Sequence, residues 1–331
     1  MTQLVAPATR RTRSASSGSI AGFLLRRTGR LAASFVILVT VAFLMLRMIP
    51  GDPIRLALGP TAPQELVDAR RAQLGLDLPI WEQYLHFWGG LLRGDLGDSF
   101  QMGLPVWEII LSRLPATLEL AGIAVIITLV LSVPIGMTVA ALTRGGQRRR
   151  LELGYTATSG FFAVVPEFVL GVLLIFVFAV QLQLAPVAGR SGPESYILPV
   201  IALSLGGIAA LSRIVRIEAL SVLDEDYLRT ARAKRMSRAR LYFRHALPNL
   251  LTSALTVGGL IFGGLIAGAV LVETVFAWPG LGQMIVQSIR ENDYPLAQGI
   301  VIVYGSLVLL VTLAIDLILM AIDRRSTLKE H

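Results

Sequence analysis

Six stretches of this chain are so rich in Leu, Ile, Val, Ala and Phe, and so poor in charge, that water is not a solvent they can fold in. A helix needs about 20 consecutive apolar residues to cross a hydrocarbon layer of roughly 30 Å. The runs at 31–49, 116–142, 155–184, 196–211, 247–272 and 295–322 approach or exceed that length. Helices are the expected form, because a bilayer offers an unpaired backbone N–H or C=O no partner. The fold class is therefore predicted to be an all-α polytopic membrane protein with six transmembrane helices. The first run is closed by "PGDP", whose prolines cannot continue a helix, and Pro134, Pro166 and Pro248 predict kinks in or beside later runs. No small-residue cleavage pattern follows the first run, so it reads as a retained anchor rather than a signal peptide.

Orientation follows from the connections. Arg10, Arg11, Arg13, Arg26, Arg27 and Arg30 precede the first run, Arg144, Arg148, Arg149 and Arg150 follow the second, and Arg324, Arg325 and Lys329 follow the sixth. With six spans all of these share one side with the basic stretch 229–249, whereas in 51–115 acidic residues outnumber basic ones. The positive-inside rule places both termini and 229–249 in the cytoplasm and 51–115 outside, in a bacterial-type cell membrane. The predicted organisation is a basic tail (1–30), a first span (31–49), an outer scaffold loop (50–115), a five-helix core (116–322) with a coupling region near 217–245, and a short tail (323–331). The net charge of +8 is what this asymmetry produces, so it does not argue for a nucleic-acid partner. The absence of cysteine excludes disulfides, thiolate metal sites and a cysteine nucleophile. His86, His245 and His331 have no ligand spacing, which argues against a membrane metalloenzyme.

Topology does not explain the pattern inside "LDEDYLRTARAKRMSRARLYFRHALPN". Acids at Asp224, Glu225 and Asp226 suit a helix start, where the dipole favours negative charge. That helix is expected to close near Lys234, with a turn at Arg235 and Met236 and with Ser237 capping a second helix that runs toward Pro248. Such a hairpin either lies on lipid phosphates or docks a cytoplasmic partner.

The same stretch resembles the cytoplasmic loop of the membrane subunits of binding-protein-dependent ABC importers: Glu-Ala-Ala, three residues, Gly, nine residues, Ile, one residue, Leu-Pro. Leu247 and Pro248 match the Leu-Pro and Ala231 the second Ala, while Arg229, Thr230, Arg235 and His245 stand at the Glu, first Ala, Gly and Ile positions. A non-glycine residue at the Gly position meets a left-handed backbone only at a cost on the order of 1 kcal/mol. "LRMIPGDP", "LGLDLPIWEQYLHFWGGLLRGDLGDSF", "VPEFVLG" and "VETVFAWPGLGQMIVQSIRENDYPLAQG" are similar to segments of the oligopeptide, dipeptide and nickel permeases, in the subunit with a long outer loop after its first helix. The closing "IDRRS" lacks the proline of that family's Asp-Pro-Arg ending.

The resemblance implies a type I importer fold and a transport subunit with no catalysis or cofactor of its own. It implies a second homologous permease, two cytoplasmic ATPase subunits holding ATP and Mg, an extracytoplasmic binding protein and membrane lipid as partners. Its cargo would be di- or oligopeptides, with nickel or another small solute as the alternative. It assigns ATPase coupling to Arg229, Thr230, Ala231, Arg232, Ala233, Lys234, Arg235, Ser237, His245, Leu247 and Pro248. Asp95 and Asp98 become candidates for binding-protein docking. A secondary transporter is the competing class. It calls for an internal repeat and paired ionisable groups at the midplane, and the chain offers only Glu167 there.

Glu167 beside Pro166 either lines the pathway or pairs with a neighbouring helix. Asp316 reads as an acceptor between helices, and Arg47 as a residue that snorkels to the interface. Glu273 opens a re-entrant or scaffold turn at the outer face. Trp81, Trp88, Trp107 and Trp278 are all expected at the outer interface. Gly258 to Gly264 offers small residues for close helix packing.

Overall fold

The computed structural model describes residues 20–47, 53–59, 61–73, 75–234, 236–237, 244 and 247–322. Most of these are helical, and among the described residues the only strand-like pairing is an isolated antiparallel bridge between Asp98 and Pro105. Helix α1 covers Ile20–Arg47. Three short helices follow in the long loop: α2 (Pro53–Leu58), α3 (Gln64–Gln73) and α4 (Ile80–Leu92). The core is α5 (Val106–Thr143), α6 (Arg149–Val164), α7 (Glu167–Leu174), α8 (Ile197–Asp224), α9 (Asp226–Ala233), α10 (Leu247–Val275), α11 (Leu281–Arg290) and α12 (Tyr294–Ile322).

Segments within α1, α5, α8 and α12 are each long and apolar enough to cross a membrane. α6 and α7 together make a fifth, bent by 99°. α10, at 29 residues, occupies the fifth sequence run. The helices outrun the hydropathy windows: α5 starts at Val106 rather than near 116, and α8 continues to Asp224 rather than ending near 211. Helix geometry persists beyond the hydrocarbon, where the apolar signal fades but backbone hydrogen bonding does not. Pro115 and Pro134 lie inside α5 without ending it. Among the described residues Pro166 alone interrupts a span. Val165 is extended (ψ 122°), as the residue before proline prefers; the helix restarts as α7 at Glu167 and widens into a π-helical stretch over Ile175–Gln181.

α5 and α8 pack along most of their lengths. Their seam is set by small residues: a side chain on Gly136 would stand 2.5 Å from the Ser212 carbonyl oxygen. Thr128, Ser132, Ser204 and Ser212 are buried on this seam. Thr128 satisfies its hydroxyl on the Ala124 carbonyl (2.8 Å), and Tyr155 of α6 reaches Ser212 (2.9 Å). Within the glycine run, Gly258 faces Leu129 of α5 and Gly259 faces Ile315 of α12, whereas Gly264 faces open space. Arg27 of α1 pairs with Asp316 of α12, joining those two helices.

The structure has two chemically distinct ends. At one, α9 lies against the ends of α5, α8 and α10. At the other, the loop helices meet the start of α12. Tyr84 of α4 hydrogen-bonds Thr40 (2.8 Å) and stacks edge-on against Phe43 and Trp88, and Trp88 meets Phe35. Trp81 and Trp107 are exposed there. Trp278 departs from the interfacial role expected of it. It has no exposed surface, sits in the core with Leu120, Leu203 and Phe276, and donates its indole N–H to the Ala116 carbonyl (2.9 Å). The turn after α10 folds inward, and the large ring fills the gap this leaves.

Candidate functional site

In the segment expected to couple to an ATPase, a helix starts at the acids as the sequence reading expected, opening at the last of the three. Asp224 is the last residue of α8, Glu225 is extended (ψ 145°) and breaks the helix, and Asp226 opens α9. Leu228 anchors α9: it is fully buried with Ala140, Ala219, Leu223 and Leu250, and Met236 packs on the same cluster. This places Thr230, Ala233, Lys234 and Ser237 on exposed surface. The Thr230 hydroxyl bonds back to the Asp226 carbonyl (3.0 Å). Arg229, Ala231 and Arg232 belong to α9 by backbone. Leu247 and Pro248 open α10, where a proline costs no hydrogen bond. Arg235, His245 and most of the second helix expected after Ser237 lie outside the described residues.

Two ion pairs that sequence reading did not single out brace this end. Arg216 of α8 meets Glu152 of α6 at 2.5 Å and also reaches Thr143 (3.2 Å). Arg144 meets Asp224 at 2.5 Å. α8, α9 and the α5–α6 turn therefore form one stiff foot.

At the opposite end Asp95 and Asp98 are exposed near a cavity that His86, Gln83 and Gln298 also line. Asp95 accepts the Gly97 N–H (2.8 Å), which braces the turn in which Gly94 and Gly97 take positive φ. The loop is tied down by a residue sequence reading passed over. Asp293 is buried and accepts from Ser99 Oγ, the Phe100 N–H (3.1 Å) and the Gln101 N–H (3.3 Å). Glu273 does comparable work for α11. It is fully buried, and its Oε2 accepts the N–H groups of Gly282 (2.6 Å) and Gln283 (3.3 Å) at the positive end of that helix. Thr117 accepts the Leu281 N–H beside it (2.8 Å).

Glu167 stands at the 99° break, in the first turn of α7, half-buried, with its carboxyl group against Gly268 of α10. Farther out, Glu119 of α5 and Arg190 form an ion pair at 2.5 Å. Tyr196 accepts from Arg190 Nε (2.9 Å) and donates to Glu119 Oε2 (2.7 Å). The Tyr196 hydrogen bond holds the Arg190 guanidinium above its ordinary pKa. None of these three was marked from the sequence as a site, since Glu119 and Arg190 are 71 residues apart.

Two family models match the chain: the binding-protein-dependent transport system inner membrane component over residues 132–328, and the N-terminal part of such membrane components over 20–121. The dipeptide transport system permease protein DppB of Escherichia coli K12 is 36% identical over 339 aligned residues, covering 92% of this chain and 98% of DppB. The probable peptide ABC transporter permease protein y4tP of Sinorhizobium fredii is 36% identical, covering 92% and 98%. The glutathione transport system permease protein GsiC of Escherichia coli O6:H1 is also 36% identical, covering 91% and 97%. Among solved structures, a chain of the inward-facing MetNI methionine ABC transporter superposes with a TM-score of 0.57 at 20% identity, covering 65% of this chain and 97% of that one, which establishes the fold. With matched models spanning both its loop-bearing first part and its helical core, the chain belongs to the family of binding-protein-dependent transport system inner membrane components.

Proposed function

We propose that this chain is one of two homologous permease subunits of an ATP-driven importer of short peptides. It works with two cytoplasmic ATPase subunits, which hold ATP and Mg, and with an extracytoplasmic binding protein. The observation that carries this is α9, a short helix pinned by Leu228 to the end of α8 while Thr230, Ala233 and Lys234 stay exposed. A stroke delivered to such a foot reaches α8 without being absorbed by a flexible loop. The peptide cargo is supported by the dipeptide, peptide and glutathione permeases it resembles. The arginine asymmetry supports a cytoplasmic α9 and cytoplasmic termini.

Within this reading Glu167 is a pathway group. Its carboxyl group stands at a break in a span and makes no hydrogen bond among the described residues, so it is available to a passing ammonium. Asp95 and Asp98, exposed on the rim of the outer scaffold, meet the loaded binding protein.

The test is reconstitution of the full complex in liposomes and measurement of ATP-dependent uptake of dialanine delivered by its binding protein. Ala231→Asp should cost both ATPase co-purification and uptake, whereas Arg238→Gln and Arg240→Gln should retain both. Failure of the complete complex to move any short peptide overturns the cargo. Full transport by Ala231→Asp overturns the coupling role.

A further inference from the structure

The ion pair at the outer end of α5 is more elaborate than an interfacial staple requires. Glu119 and Arg190 sit in an open cleft of about 730 Å³, with Ile123, Ser191 and Tyr196 on its walls, a size within the range of small-molecule sites. Their side chains remain 42% and 38% exposed although they pair with each other. Pairs that open to water contribute little to stability. Both contacts to Glu119 fall on Oε2, and Arg190 uses Nε and Nη2. This leaves Glu119 Oε1 and Arg190 Nη1 without a hydrogen bond among the described residues. One acceptor and one donor of opposite charge within the same pair are thus uncommitted among the described residues.

The surroundings hold them in place. The guanidinium lies 5.9 Å over the ring of Trp278, which is fully buried, fixed through its indole N–H and edge-on to Tyr196 at 4.6 Å. The loop that carries Arg190 is fastened by the Gly189 N–H to the Phe276 carbonyl (2.8 Å). It is fastened again by the Ser191 and Gly192 N–H groups to Ser195 Oγ (3.1 and 3.2 Å). A charged fork held on an aromatic wall by a pinned loop loses little freedom when it takes a ligand.

We infer that the Glu119–Arg190–Tyr196 cleft is a subsite for a zwitterionic peptide entering the permease, with the peptide ammonium on Glu119 and its carboxylate on Arg190. This rests on the peptide-import reading and adds the place where cargo first meets this subunit.

The lack of cysteine in the chain makes a direct test available. Ser191→Cys puts a thiol on the wall of the cleft, and its reaction with a water-soluble maleimide is followed on the purified complex without binding protein. Dialanine should slow labelling in a saturable way, while N-acetyl-dialanine amide, which carries neither charge, should not. In Arg190→Gln or Glu119→Gln backgrounds the dialanine needed for half-protection, measured against each variant's own unprotected rate, should rise at least tenfold; an unchanged half-protecting concentration overturns the subsite. Equal protection by the uncharged peptide, or no protection in a complex that does import dialanine, overturns the subsite and leaves the import reading standing. Saturable protection in a complex that imports no peptide supports the subsite and removes the import reading.

Discussion

The buried Glu273 carboxylate shows how one residue holds an end of the fold. Its Oε2 takes two N–H groups at the start of α11, donors that no helix satisfies internally. Glu273→Ala strands them in a site closed to water. A buried unsatisfied donor costs about 1–3 kcal/mol, so the detergent-purified variant should melt several degrees lower than the parent. Glu273→Gln keeps an acceptor oxygen for the two N–H groups, so it should fall between the two. If the alanine variant melts with the parent, the carboxylate is not what holds α11.

At the scale of elements, the α5–α8 seam has no room for a methyl group at Gly136, whose added carbon would press on the backbone at Ser212 and on Val215. Gly136→Ala must separate the helices, an overpacking cost of about 1–3 kcal/mol. Gly122→Ala, on the same helix with nothing within 4 Å, should be neutral. Thermal melts of the two variants, compared with the parent, check the difference. For α9, Leu228→Ala removes its buried anchor, at about 2–5 kcal/mol for a core leucine. ATP hydrolysis should then continue while uptake falls severalfold; hydrolysis and uptake falling together would place Leu228 in assembly instead. The spans were legible because bilayer solvation writes itself on every residue of a run. The start of α9 was legible from its acids, although Asp224 itself belongs to the end of α8; the coupling role expected of it came from the resemblance alone. The kink at Pro166 was legible from the proline itself, though not its 99° size; the inward turn of Trp278 and the meeting of Glu119 with Arg190 were not legible. Each depends on how distant helices face one another, which no local period records.

For the whole molecule, the sidedness inferred from arginine is open to the same cysteine-free chemistry. Single cysteines at Arg93 and Gln147, both exposed, should react with an impermeant reagent from opposite faces of the membrane; reaction from the same face refutes the six-span arrangement. α8 then acquires a mechanical meaning. Its 28 residues make a rod of about 42 Å at 1.5 Å per residue, with Tyr196 at one tip and the α9 foot at the other. A tilt of about 5° at the foot carries the far tip by roughly 4 Å, more than the reach of a hydrogen bond. In the proposed complex nucleotide and cargo act on opposite ends of one beam, and thermodynamic linkage makes the influence mutual. On that proposal, the factor by which bound nucleotide changes peptide affinity at the cleft equals the factor by which peptide changes nucleotide affinity in the ATPases at the foot, whichever of the two arrives first.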